Sequence, residues 1–273
     1  MIATSALAPW VAHFGLTKTP FSKSIPAPDL FLRDAHLEAV ARITHCVSEA
    51  AIGVIAGDVG VGKTVAIRAA VAALDPIRHH ILYVSNPAFG TRGLYVTIVS
   101  ALGASPRFHK AEVMAQAQTL LAAEESERHR RVVFILDEAH LLSAAQLEEL
   151  RLLTNSEMDS RSPFAAILVG QPMLTRQLRQ GMFAALDQRI ATRFTLPPMD
   201  LSDTAAYLKH HLALAGRTDP LFADDAVATL HRVSNGVPRA LNNAAIAALF
   251  AAASDGKAIV DGAKRAAVEL SRD

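Results

Sequence analysis

Short apolar runs alternate with longer amphipathic stretches through the first two thirds of the chain, and the two patterns predict different elements. "AIGVIAG" (51–57), "HILYVSN" (80–86), "RVVFILDEA" (131–139), "FAAILVGQP" (164–172) and "ATRFTLP" (191–197) are short and apolar, as strands buried on both faces are. Between them lie helix-like stretches: "KTVAIRAAVAALD" (63–75), "RGLYVTIVSALG" (92–103), "KAEVMAQAQTLLAAEESERHR" (110–130), "SAAQLEELRLLTN" (143–155) and "MLTRQLRQGMFAAL" (173–186). Gly103 supplies a stop for the second, and Ser143 and Gln146 stand at capping-box spacing in the fourth. A further helix is expected around Asp34 to Ala50. Alternating strand and helix units imply a parallel five-stranded sheet covered on both faces, a three-layer αβα body.

The pattern changes after Pro197–Pro198. "SDTAAYLKHHLALAG", "DDAVATLHRVSNG", "PRALNNAAIAALFAAAS" and "KRAAVELS" all read as helices, which makes a small all-helical subdomain. At the other end, "HFGLTKTPFSKSIPAPDLFL" is rich in proline and aromatics; Phe14, Phe21, Phe31 and Leu32 need burial, so it reads as an ordered loop. Three parts are therefore expected: an N-terminal segment, 1–33, packing on the α/β body; the body, 34–198; and the helical subdomain, 199–273.

Composition narrows the class. Of 273 residues, 51% are hydrophobic, enough for a sizeable core, and the formal net charge is only +1. Any basic surface must therefore be local; Arg92, Arg107, Lys110, Arg176 and Arg179 are the candidates. A single cysteine, Cys46, excludes an intrachain disulfide and fits a reducing cytoplasm, with the thiol read as a small core residue. No signal peptide is visible, and the apolar stretch 240–254 is too short to span a bilayer, so a cytoplasmic protein without a membrane partner is expected.

Chemistry enters at "GDVGVGKT" (57–64), which fits G-x-x-x-x-G-K-[ST] between a predicted strand and a predicted helix. Gly57, Gly60 and Gly62 let the backbone curl so that the N–H groups of Asp58, Val59, Val61 and their neighbours, through to Val65, face phosphate oxygens. The helix that follows adds its positive end. Lys63 reaches the β- and γ-phosphates of ATP, and the Thr64 hydroxyl binds Mg²⁺. "VVFILDEAH" (132–140) supplies the second part: Asp137 at a strand's carboxyl end joins Thr64 as a Mg²⁺ residue, and Glu138 orients the attacking water. His140 is read as structural. The paired His79–His80 and His210–His211 lack ligand spacing.

A P-loop, an Asp-Glu pair, a polar residue after the next strand, late arginines and a helical lid follow one another in an order that resembles the AAA+ ATPases, from about Val40 to Arg265. The resemblance implies that Gln171 is a sensor of the γ-phosphate or attacking water. It implies that Arg239, after Pro238, reaches the nucleotide from the lid, and that Asn86 restrains the glutamate. It also implies that an arginine of "LDQRIATRF" completes the site of the next subunit. Arg189 is preferred for that role over Arg193, which lies in or beside a strand. The bland alternative for either is a pair within the chain, with Asp187 or Glu157.

The N-terminal residues, with Pro20–Phe21, His36 and Glu38, resemble the ExeA/GspA-type group and its transposon-encoded TniB-like and phage Mu B-like relatives. In that group the N-terminal loop helps enclose adenine, which makes Phe31 a candidate for the base pocket. The resemblance implies an ATP-hydrolysing protein that self-assembles as a ring or helical filament, binds double-stranded DNA without sequence preference and recruits a transposase. A secretion-pathway ATPase is the alternative; the ExeA-type proteins carry a membrane segment and a further region after the ATPase, and this chain ends at the lid. A switch that binds ATP and barely hydrolyses it is the third reading.

Overall fold

A computed structural model describes residues 8–87, 89–154 and 162–261. In chain order, α1 (Pro9–His13) leads through an irregular stretch to α2 (Asp34–Ser48), β1 (Ile52–Ala56), α3 (Lys63–Ala73), β2 (His79–Val84), α4 (Thr91–Ala101) and α5 (Lys110–Ser126). Then come β3 (Arg131–Leu136), α6 (Ala144–Leu153), β4 (Phe164–Gly170), α7 (Pro172–Leu178), α8 (Ala184–Asp187), β5 (Ile190–Thr195), α9 (Leu201–Leu214), α10 (Asp224–Ser234) and α11 (Pro238–Ser254). The chain divides into two units: residues 34–59 with 63–196, and residues 8–33 with 60–62 and 197–261.

The first unit is built on a five-stranded parallel sheet in the order β2-β3-β4-β1-β5. Alternate strand residues feed two cores. Val54, Leu82, Phe134, Leu136 and Leu168 pack with Leu94, Ile98, Leu121 and Leu147 of the helices on one face. Ile55, Val133, Ile135 and Val169 pack with Ile43, Val47, Ala66 and Ile67 on the other. This period of two is what lets one strand serve two apolar layers. Cys46 is fully buried in the second core, where Gly53 leaves it room: a Cβ on that glycine would lie 2.7 Å from the Cys46 sulfur. Burial pushes the thiol up to about 11, so it stays protonated and inert.

The predicted capping box is present. Ser143 Oγ accepts from the Gln146 N–H, and Gln146 Oε1 accepts from the Ser143 N–H at 3.0 Å. The predicted helix 173–186 is interrupted. α7 stops at Leu178, Gln180 turns extended, and a single 3₁₀ turn over 181–183 precedes α8. Gly181, the poorest helix former after proline, sits at that break.

In the second unit the aromatics of the N-terminal segment are part of a helical core. Trp10, Phe14 and Phe21 are buried with Tyr207, Leu212, Leu241 and Leu249. These residues bury more apolar area against α9 and α11 than a loop can bury by itself, so the segment folds with the lid. Arg33 closes the segment: its guanidinium donates to the Pro197 and Pro198 carbonyls, the latter at 3.0 Å, and pairs with Asp203 at 3.3 Å. The predicted helix at 264–271 lies outside the described residues. No helix among the described residues is long and apolar enough to cross a membrane.

Candidate functional site

β1 ends in the buried Ala56, and the chain leaves the sheet at Gly57, whose N–H donates to the Gly170 carbonyl at 3.2 Å. The loop then needs backbone that side chains disfavour: φ is +83° at Gly60 and +105° at Gly62. Gly60 is also crowded, since an added Cβ would stand 2.7 Å from the Arg239 Cβ. Val61 is fully buried and pins the loop, whereas Asp58 and Val59 are exposed. Lys63 opens α3 and is buried; its ammonium donates to the Gly57 and Asp58 carbonyls at 2.8 and 2.9 Å. Those bonds hold a cation inside the curl of the loop. Thr64, exposed at the first turn of α3, and the half-buried Val65 complete the stretch.

The sheet order brings the second motif to the same edge. β4 lies between β1 and β3, with Ala56 level with Gly170 and Leu136 level with Leu168. The carboxyl ends of the three strands thus form a row, with Gln171 between the glycine loop and the Asp137–Glu138 pair. Strands about 4.8 Å apart put the two ends of that row within about 10 Å, the span of a triphosphate and its metal.

Asp137 is buried, and both its oxygens are engaged. Oδ1 accepts from the Glu138 N–H at 2.9 Å, and Oδ2 accepts from the Tyr83 hydroxyl at 2.8 Å. The sequence reading missed Tyr83, because nothing in the local pattern of β2 says which residue of β3 it will face. Partial burial, then the Asp137 hydrogen bond and the charges of Asp137 and Glu138, push that phenol up to about 12. It is therefore a donor at any physiological pH. Glu138 sits in the left-handed region, φ +54° and ψ +34°, a conformation a non-glycine residue rarely adopts. Its carboxylate lies 3.5 Å from His140 Nδ1, and the same nitrogen accepts from the Gln171 N–H at 3.5 Å. His140, read from sequence as structural, thus stands between the glutamate and the residue after β4.

The remaining candidates are placed as follows. Arg189 is half-buried and donates from Nη1 to the Thr154 hydroxyl at 3.0 Å. Arg193, on β5, pairs with the Asp187 carboxylate and donates to the Asp187 carbonyl at 3.0 Å, the intrachain pairing weighed for it. Glu157 lies outside the described residues. Arg239 is exposed near the start of α11, and its N–H donates to the Gly60 carbonyl at 3.3 Å. Phe31 packs edge-on against Tyr207 and beside His210, each with ring centroids 5.5 Å apart, in the helical core. Asn86 is exposed beyond the end of β2. Of the basic candidates, Arg92 donates to the Phe108 and Arg107 carbonyls, and Lys110 pairs with Glu149. Arg176 and Arg179 are exposed on α7 and just after it.

Among the described residues no group of three or more His, Cys, Asp and Glu side chains forms a metal cage. A hydroxyl at Thr64 and a carboxylate at Asp137 are hard oxygen donors, sparse in number. Mg²⁺ fits such a set, because it keeps several waters and takes its other ligands from phosphate.

Residues 44–178 match a family model described as an AAA domain. Over 251 residues the chain is 34% identical to the general secretion pathway protein A of Aeromonas hydrophila, covering 90% of this chain and 45% of that one. It thus spans less than half the length of that relative. Among solved structures, the Aeropyrum pernix ORC2 protein in its ADPNP–ADP complexes superposes with a TM-score of 0.65 at 19% identity, over 92% of this chain and 70% of that one. The Pyrobaculum aerophilum Cdc6p gives 0.68 at 16% identity, over 88% and 67%. Drosophila ORC bound to DNA gives 0.70 at 14% identity, over 98% and 67%. At such identities the likeness is one of fold, a parallel-sheet P-loop NTPase body with a helical C-terminal part.

Proposed function

We propose, from the AAA domain that this chain carries in a P-loop NTPase fold, that it binds ATP with Mg²⁺ and hydrolyses the γ-phosphate when a second copy completes the site. The observation that carries this reading is the row at the sheet's carboxyl edge: the glycine loop with its captive Lys63 ammonium, then Gln171, then Asp137 and Glu138.

Each residue then has a task. The N–H groups of residues 58–65 bind phosphate oxygens, and Lys63 neutralises charge on the β- and γ-phosphates. Thr64 and Asp137 hold Mg²⁺, which when bound supplies further shielding of that charge. Glu138 accepts the proton of the attacking water, and Gln171 orients the same water. Arg239 reaches the phosphates from α11, and Arg189 of a neighbouring copy stabilises charge on the transferring group. Lys63→Ala is expected to abolish binding of a fluorescent ATP analogue. Glu138→Gln is expected to bind it with near-normal affinity while phosphate release falls at least a hundredfold. Hydrolysis surviving in Glu138→Gln would remove the glutamate from this role.

For the cellular setting, identity to a general secretion pathway protein A over most of the chain supports a secretion-pathway ATPase acting at the cytoplasmic side. A second reading, a DNA transposition accessory protein that assembles as a ring or filament on duplex DNA and recruits a transposase, draws support from a basic, aromatic loop. There Phe108 is 80% exposed, and the Arg92 guanidinium lies 5.9 Å from its ring centre beside Arg107. A gel shift with plain duplex DNA, with and without a non-hydrolysable ATP analogue, separates the two. ATP-dependent binding that weakens steeply with salt supports the second; no shift under any nucleotide removes it.

A further inference from the structure

We propose that the Tyr83 hydroxyl is a positioning group for the metal carboxylate, holding Asp137 in the one orientation that meets nucleotide-bound Mg²⁺. The inference rests on the ATP reading above. It starts from the pairing of β2 with β3, which sets Tyr83 level with Ile135 and Val84 level with Leu136. Tyr83 therefore stands on the edge strand with its hydroxyl reaching past the end of β3, 2.8 Å from Asp137 Oδ2.

A carboxylate held at one oxygen still swings about its Cβ–Cγ bond. Asp137 is held at both: at Oδ1 by the N–H of its own chain neighbour, and at Oδ2 by a phenol from another strand. Each oxygen has two acceptor positions, so each keeps one for a further donor. Those two fixed positions are what a metal with its water shell meets. Charge-assisted hydrogen bonds are the strong kind, and partners behind a ligand commonly set its affinity for metal. The aromatic ring itself does little for the core, since Tyr83 is 47% exposed. A phenylalanine would fill the same space without the bond.

The test is Tyr83→Phe, read by equilibrium binding of a fluorescent ATP analogue to the full chain, first in EDTA and then across a Mg²⁺ titration. The half-saturating Mg²⁺ concentration is expected to rise roughly tenfold. Affinity in EDTA is expected to stay within about twofold of wild type, and the circular dichroism melt to stay cooperative with a somewhat lower midpoint. Asp137→Asn serves as the reference for a lost metal carboxylate, and Tyr83→Phe should move part of the way towards it. An unaltered Mg²⁺ dependence, or an equal loss of affinity with and without metal, overturns the proposal and leaves a bond that only braces the strand ends. Failure of the wild-type chain to bind the analogue in any condition overturns the ATP reading itself, and is told apart because it does not involve the substitution.

Discussion

At the scale of single residues, the two arginines of "LDQRIATRF" part company. Arg193 is paired with Asp187, and its Nε is buried without a hydrogen-bond partner, the environment of a structural cation. Arg189 donates to the Thr154 hydroxyl at 3.0 Å. If Arg189 completes the site of a neighbouring copy as proposed, Arg189→Ala is expected to keep its affinity for the ATP analogue while turnover falls by about 10³. Arg193→Ala should cost about 1 kcal/mol of stability and leave turnover of the assembled protein within a fewfold of wild type. Steady-state phosphate release beside a thermal melt decides this, and near-normal turnover in Arg189→Ala would move the finger elsewhere. Lys63, Thr64, Asp137 and Glu138 were legible in the sequence because each is fixed by its chain neighbours in a short motif. Tyr83 and the placement of His140 were not. Their partners are set by which strands become neighbours, and a period of apolar residues does not encode that order.

At the scale of elements, every strand was readable, since each is a short apolar run set between longer helix-like stretches, although the edge strands β2 and β5 are only partly buried. The misread parts are those where tertiary burial overrides local pattern. A one-turn helix, α1, forms just ahead of the proline-rich loop because Trp10 and Val11 are buried in the helical core, and α7 ends early at a glycine-containing break. The same burial sets a pH dependence. His211 of α9 lies against Tyr207 and Phe21, with ring centroids 4.2 and 5.4 Å away, and beside His210. Burial first, and the neighbouring His210 second, push its imidazole down to about 4. A folded value below the ordinary 6.5 means that the unfolded chain takes the proton first. The stability this residue contributes is full above about pH 6.5 and is lost as pH falls towards 4, by up to about 3 kcal/mol. The melting midpoint of the wild-type chain should drop over that window more than that of His211→Gln, and parallel curves would refute the assignment.

At the scale of the whole molecule, the proposed reaction belongs to an assembly. Turnover per subunit should climb with protein concentration and level off once copies associate. Mixing Lys63→Ala, which keeps the arginine, with Arg189→Ala, which keeps the loop, should recover part of the activity that each lacks alone. A rate that holds constant on dilution to a solitary chain would remove the shared site. Stability and activity also meet at one backbone angle. A glutamate held at φ +54° costs the fold about 1–2 kcal/mol that a glycine would not. Glu138→Gly should accordingly melt a few degrees higher and be inert. Any screen of this chain for heat resistance alone would tend to enrich dead variants at that position, so thermostable clones need an activity filter before they are kept.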